Sequence, residues 1–268
     1  MDPRGDRGRP LLVQPSLSIV IPVYNEGEHI AGVLTSVLAA VRSRPLEVLV
    51  VYDFEGDSTI PVVQRLQPAM PGVRLLRNDR GPGVLNALKS GLSGSAAPYV
   101  VVMMADGSDD PSCIDRMLQH AALGAAVVAG SRYMAGGRQL GGPPLKRSLS
   151  RAGGLSLHRL AGVGTHDATN NFKLYSRRLL DAITIESTAG FELALELTVK
   201  AHRLRMPIAE VPTTWRDRTQ GQSRFNLWKW LPHYLRWYWF GLASLWVRPP
   251  SRPSSPVADA EPPIDTAA

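Results

Sequence analysis

Acidic side chains recur directly after the apolar runs that are typical of buried strands. These residues are Glu26, Asp53, Asp57, Asp106, Asp109 and Asp110. Carboxylate oxygens suit a hard divalent cation, which commonly bridges protein carboxylates and substrate phosphates. Aspartate is also a frequent turn and helix-capping residue, so turn chemistry explains any one of them alone. Their recurrence after several runs favours a shared acidic site.

The elements that must position these residues alternate between strand and helix. Strand-like runs extend over Leu17 to Val23, Val48 to Tyr52, Val73 to Leu76, Tyr99 to Met104 and Ala126 to Ala129. Apolar residues from Ile30 to Val41 recur at helical spacing, and weaker helices are predicted at 84–93 and 111–123. This alternation predicts an α/β fold with a mostly parallel sheet flanked by helices. Ligands bind at the carboxyl ends of such strands, where the acidic loops lie.

Composition excludes several classes of protein. The chain has 268 residues, of which 44% are hydrophobic and 20% charged, so it is neither collagen-like, coiled-coil nor wholly disordered. A single cysteine, Cys113, excludes a disulfide framework and a multi-cysteine metal site, and it predicts a reducing, cytosolic compartment. The net charge of +7 equals that of residues 200–248 alone. This localised basic surface indicates a phosphate-rich partner.

Four segments are predicted along the chain. Residues 1–15 form a loose basic arm, 16–226 a nucleotide-binding domain, 227–247 an amphipathic helix, and 248–268 a disordered tail rich in proline and serine. Residues 225–246 hold nine of the 18 aromatic residues. Their uncharged stretch is shorter than the about 20 residues that span a bilayer, but tryptophans beside cations are typical of an interfacial membrane helix. The alternative is a helix packed on the domain or in a dimer interface.

Six short motifs together resemble one enzyme family. They are Ile21 to Glu26, the Asp53 loop, Gly83 to Gly91, Met104 to Asp106, Gly130 to Tyr133, and Arg218 to Arg224. In this order they resemble the inverting family-two glycosyltransferases of GT-A fold, especially the polyprenyl- and dolichyl-phosphate mannose and glucose synthases. The resemblance covers about residues 16–226. It implies a nucleotide-sugar-binding fold of that type.

The resemblance implies a role for each matching residue. The donor nucleotide pocket comprises Pro22, Tyr24, Asn25, Glu26, Asp53, Gly83 and Asn86. Asp106 holds Mg²⁺ or Mn²⁺, although Met104 replaces the first aspartate of the family's metal motif, and a thioether is no substitute for a carboxylate. Ser108 or Asp109 supplies the compensating oxygen. The catalytic cations are Arg132 and Arg218, with Ser223 and Arg224 in the same basic loop as Arg218, and Asp167 lines the acceptor pocket.

The implied reaction moves a hexose, mannose or glucose, from a nucleotide sugar to a polyprenyl phosphate with inversion. The protein would work as a peripheral enzyme on the cytoplasmic face of the membrane, without nucleic acid, and a homo-oligomer or a membrane partner stays open. A phosphate monoester has a second pKa of about 6, so it needs no dedicated base. Loss of Asp106 or Arg132 is then expected to lower turnover in a folded protein.

Three alternatives remain. A hydroxyl acceptor on a glycolipid, polysaccharide or small molecule would need a base, for which Asp167 and Glu192 are the candidates. A non-catalytic nucleotide-sugar-binding module would explain Met104. A nucleotidyltransferase shares the fold class, but no glycine-rich phosphate loop follows the first strand.

Overall fold

The computed structural model describes the backbone of residues 14–217 and 227–243, and the side chains of these ranges except 227–229. In chain order the elements are β1 (Leu17–Pro22), α1 (His29–Ala40), β2 (Leu46–Tyr52), α2 (Thr59–Leu66), β3 (Val73–Arg77), α3 (Val84–Gly94), β4 (Tyr99–Val102), α4 (Ile114–Ala122), β5 (Val127–Ser131), β6 (Arg138–Leu140), α5 (Pro144–Ala161), β7 (Lys173–Ser176), α6 (Arg177–Ala182), α7 (Leu193–Arg203), β8 (Ile208–Pro212), β9 (Thr214–Arg216) and α8 (Leu227–Leu242). The predicted α/β class with a mostly parallel sheet is confirmed.

The central sheet has seven strands in the order β3-β2-β1-β4-β7-β5-β8. All neighbours are parallel except β7, which runs antiparallel between β4 and β5. A second sheet pairs β6 with β9. The strand order reverses beside β1, so the loops after β1 and β4 lead away from each other. In open α/β sheets the crevice at such a reversal is where ligands bind.

Two apolar layers hold the helices against the sheet. Helices α1, α2 and α4 cover one face, and α3 and α7 cover the other. Every residue of β1 is buried, as expected for a parallel strand covered on both faces. Helix α3 lies very close to β1, because a Cβ on Gly91 would be 2.3 Å from a Val20 methyl carbon. The glycine of the predicted motif is therefore required by packing.

The predicted helix at 111–123 is divided into two parts. A short 3-10 turn covers Pro111–Cys113, and α4 follows it. Asp110 caps the turn, since its carboxylate accepts a hydrogen bond of 3.0 Å from the Ser112 amide. The turn interpretation is therefore correct for this aspartate.

One face of α8 packs on the domain. Trp237 is 2% exposed and lies among side chains of α5 and α7, including Leu157 and Val199. The Tyr234 hydroxyl donates a 2.9 Å hydrogen bond to the Phe191 carbonyl. The opposite face exposes Leu235 and Trp239. Within the described ranges, no helix combines the length and apolar character needed to cross a bilayer.

Candidate active site at the carboxyl end of the sheet

The loop after β1 is tied to the loop after β2. The Asn25 amide donates to the Asp57 carboxylate at 3.0 Å, and the Ser58 amide donates to the Asn25 side-chain oxygen at 3.1 Å. Asp57 is 1% exposed and also accepts from the Thr59 amide. Asp57 is thus a structural turn residue, whereas Asn25, with its positive φ of 55°, shapes the exposed edge of these two loops, the rim.

Two aromatic rings stand at this rim. Tyr24 and Phe54 are 45% and 37% exposed, and their ring centroids are 5.6 Å apart. Pro22 is buried at the end of β1, so it lies beneath the rim, and Glu26 donates its amide to the Thr59 hydroxyl. Among the predicted donor residues of this loop, Tyr24 therefore presents an open aromatic surface.

Asp53 links the loop after β2 to the loop after β3. One of its carboxylate oxygens accepts from the Asn78 side-chain amide and the other from the Gly83 amide, both at 2.8 Å. Gly83 adopts φ +118°, which L side chains rarely adopt, just before α3 begins. Asn86 lies in the first turn of that helix. The structure thus brings the predicted residues Asp53, Gly83 and Asn86 together.

Asn78 was missed by the sequence interpretation. Its side-chain amide donates to Asp53 and to the Gly81 carbonyl, and its oxygen accepts from the Arg80 amide and the Ser90 hydroxyl. Its position directly after β3, at the same edge of the sheet, was the available signal. It fixes the geometry of the loop that approaches Asp53.

The loop after β4 places two carboxylates near each other. Asp106 accepts a 3.1 Å hydrogen bond from the Ser108 amide, and Asp109 accepts one of 3.2 Å from the Met104 amide. Burial, and after it the charge of Asp106, raise the pKa of Asp109 to about 7. Ser108 is buried, and its carbonyl accepts from the Arg216 amide of β9. The pair concentrates negative charge that a cation would relieve.

Arg132, directly after β5, forms a buried ion pair with Asp167. The Arg132 Nε and Nη2 atoms lie 2.7 and 2.9 Å from the two carboxylate oxygens, and the Arg132 backbone amide donates to the same carboxylate at 3.0 Å. Burial acts to raise the pKa of Asp167, but the Arg132 charge and hydrogen bonds outweigh it and hold that pKa below its usual range. Asp167 therefore orients the arginine and does not line an open pocket.

A cavity of about 420 Å³ opens beside Arg132. Four arginines and no acidic residue line it. The arginines are Arg132, Arg138, Arg147 and Arg151, and the other lining residues are Tyr133, Met134, Gly137, Gln139 and Ser148. Planar guanidinium groups match phosphate oxygens with two parallel hydrogen bonds. Arg138, Arg147 and Arg151 were missed by the sequence interpretation. For Arg147 and Arg151, the absence of acidic residues throughout α5 was a usable signal.

The two carboxylates considered as bases are both engaged. Asp167 is held by Arg132, and Glu192 is buried and accepts from the Ala189 and Gly190 amides at 2.8 and 2.6 Å. His166 lies 2.5 Å from Glu210 and stacks on His158. These contacts weaken the case for a base-dependent hydroxyl acceptor. The predicted residues Arg218, Ser223 and Arg224 lie outside the described residues, as do the arm 1–13 and the tail 248–268.

The fold and the residues at the carboxyl edge of the sheet together define a class of protein. The sheet is of the GT-A type, and its acidic loop after β4 lies beside a cluster of arginines that suit phosphate oxygens. The chain belongs to glycosyl transferase family 2, because the sequence model of that family matches residues 18–184. It is therefore a glycosyltransferase, as the sequence motifs predicted.

Several relatives and a solved structure are similar to the chain. It is 30% identical to polyprenol monophosphomannose synthase of Mycolicibacterium smegmatis, over 81% of this chain and 84% of that protein. It is also 30% identical to undecaprenyl-phosphate mannosyltransferase of Micrococcus luteus, over 85% and 94%. Glucosyl-3-phosphoglycerate synthase from Mycobacterium tuberculosis, solved with Mn²⁺ and UDP, has a TM-score of 0.59 at 17% identity, covering 86% of this chain and 80% of that one. The last similarity concerns the fold alone.

Proposed function

We propose that the protein transfers mannose from a nucleotide sugar to a polyprenyl phosphate, with inversion at the anomeric carbon. The observation that carries this proposal is the arginine-lined cavity beside Arg132, at the same sheet edge as Asp106 and Asp109. The relatives named as polyprenyl-phosphate mannosyltransferases support the acceptor and the choice of mannose over glucose.

The donor occupies the crevice between the loops after β1 and β4. Tyr24 and Phe54 offer exposed aromatic surface to the nucleobase of the donor, and Asp53 holds the loop that carries Gly83. As the glycosidic bond breaks, the leaving nucleoside diphosphate gains negative charge that fixed positive groups stabilise.

A divalent cation fits the carboxylates after β4. Mg²⁺ and Mn²⁺ are often held by one or two carboxylates together with substrate phosphates. Asp106 and Asp109 supply two. Burial, and after it the charge of Asp106, raises the pKa of Asp109, and a bound cation would offset both effects. Within the part of the chain that the structure describes, no group of three or more His, Cys, Asp or Glu residues is arranged for a metal. When bound, the cation would supply charge to the leaving diphosphate.

The acceptor phosphate enters the cavity between β6 and α5. Arg147 and Arg151 neutralise its charge, while Arg132, fixed by Asp167, lines the same cavity. A phosphate oxygen that is already ionised attacks without losing a proton, so neither Asp167 nor Glu192 is needed as a base.

Replacing Arg147 and Arg151 together by alanine is expected to raise the KM for polyprenyl phosphate about 10-fold or more, because hydrogen bonds between charged groups are lost. The Kd of the nucleotide sugar should stay within about twofold, since its crevice is untouched. The matched control is Arg159→Ala, an exposed arginine of the same helix that does not line the cavity. An unchanged acceptor KM in the double variant would contradict this assignment.

The same helix supports a peripheral position on the cytoplasmic face of a membrane. Helix α5 carries four Lys or Arg residues and no acidic residue, and it exposes Leu145 and Leu149. Leu235 and Trp239 of α8 are also exposed. Basic helices with exposed apolar residues bind anionic bilayer surfaces. Cosedimentation of the full chain with anionic but not neutral vesicles tests this proposal, and equal recovery from both would count against it.

A further inference from the structure

Lys173, the first residue of β7, is a buried cation that neither the sequence motifs nor the proposed reaction uses. Its side chain is fully buried. The ammonium donates to the backbone carbonyls of Asp167 and Ala168 at 3.1 and 3.2 Å, and to the carbonyl of Asn170. An ammonium group has three donors, so all of them are used within one short segment.

That segment, residues 167–170, also carries the carboxylate that orients Arg132. Asp167 receives hydrogen bonds from the Arg132 amide, Nε and Nη2. The Asn170 side chain donates to the Gly130 carbonyl at 2.8 Å. Lys173 therefore binds the backbone of a segment whose side chains contact the end of β5 and the first residue after it.

A lysine is a costly choice for this position. A buried ammonium loses its hydration, which penalises the charged form unless protein groups replace the water. Burial indeed lowers the pKa of Lys173 to about 7, although the charge of Asp167 opposes the shift. An apolar side chain would avoid this penalty but would leave three inward-facing carbonyl oxygens without a donor.

We propose that Lys173 is a positioning residue that holds segment 167–170 so that Asp167 presents the Arg132 guanidinium to the arginine-lined cavity. The kinetic consequence rests on the proposed function, whereas the structural consequence does not. Lys173 does not itself contact substrate.

The test replaces Lys173 by methionine, which has similar length and no donor. The ¹⁵N-bound Hε signal of Arg132 is the first readout, because its Nε donates to Asp167. We expect this signal to shift and exchange faster with solvent. The second readout is kinetic: kcat should fall about 10- to 100-fold, as for other residues that orient a functional group, with donor KM nearly unchanged.

The matched control is Lys200→Met. Lys200 is also buried, and it donates to the Thr184 carbonyl and to Glu186 and Glu196, in a different part of the fold. It should lose stability while keeping the Arg132 signal and kcat. An equal fall in kcat for both variants, or an unchanged Arg132 signal in Lys173→Met, would overturn the proposal.

If Lys173→Met does not fold, Lys173→Arg takes its place as the test variant, because arginine keeps the positive charge and several hydrogen-bond donors. A folded Lys173→Arg protein should retain most of the Arg132 signal, and loss of that signal despite the retained cation would overturn the proposal. A changed Arg132 signal together with no transfer to polyprenyl phosphate by the wild type would support the positioning role and refute the proposed function. The two can therefore fail separately.

Discussion

Replacing Asp106 with asparagine lowers turnover about 100- to 1,000-fold, in the range that follows loss of one preorganised electrostatic group from an active site. The asparagine side-chain oxygen can still accept the hydrogen bond from the Ser108 amide, so the loop keeps its shape. The substitution removes the negative charge that would hold a divalent cation at the leaving diphosphate. Steady-state kcat across a Mn²⁺ titration, with chemical unfolding in parallel, measures both effects.

Asp115→Asn is the control for this variant. Asp115 accepts hydrogen bonds from the Arg42 and Ser43 amides in the segment that follows α1, and it is none of the predicted site residues. It should lose some stability and keep its turnover, the reverse of Asp106→Asn. Full turnover in Asp106→Asn at every metal concentration would remove Asp106 from the catalytic machinery.

Arg132→Met is expected to lower the free energy of unfolding by about 3–5 kcal/mol, the usual cost of leaving one member of a buried ion pair without its partner. Asp167 is fully buried, and its side chain faces the space that Arg132 occupies. This revises the expectation from sequence that loss of Arg132 would leave the fold intact. The free energy of unfolding measured with urea and the kcat should both fall.

A double variant separates the structural from the catalytic contribution. Arg132→Met with Asp167→Leu removes both charges, and such replacements of buried pairs are often neutral or stabilising. We expect only part of the lost stability to return, because the Arg132 backbone amide still loses its carboxylate acceptor, while turnover stays low. Normal turnover in the double variant would exclude a catalytic role for Arg132, and wild-type stability in Arg132→Met would refute the structural importance of the pair.

The sequence predicted β1 to β5, and four of these five strands are buried along nearly their whole length, β3 being the exception. Their mostly apolar composition identified them, and α1 showed a clear helical period. The acidic loops then followed from their positions after these strands. In contrast, β7 has the sequence KLYS and begins with a buried lysine. Nothing in its composition marks it as a strand, because its buried lysine is accommodated by three backbone carbonyls of the preceding segment, which only the structure shows.

Local sequence patterns also did not reveal which residues contact each other within the site. Arg132 and Asp167 are 35 positions apart and meet only because β5 and β7 are neighbours in the sheet. Arg147 and Arg151 lie on a helix whose polar sequence has no clear apolar stripe, so neither was singled out. Residue types alone did not separate Asp57 from Asp53; the family resemblance placed only Asp53 in the donor pocket, and the hydrogen bonds of the loop show that Asp57 is a turn residue.

The choice of acceptor is the most direct test of the account. The purified protein would be incubated with Mg²⁺ or Mn²⁺, with GDP-mannose or UDP-glucose, and with either undecaprenyl phosphate or the matching free alcohol. Mass spectrometry would detect the lipid products. We expect a mannosylated prenyl phosphate and no product from the alcohol. Transfer to the alcohol but not to the phosphate would contradict it, and donor binding without transfer to either would favour a non-catalytic module.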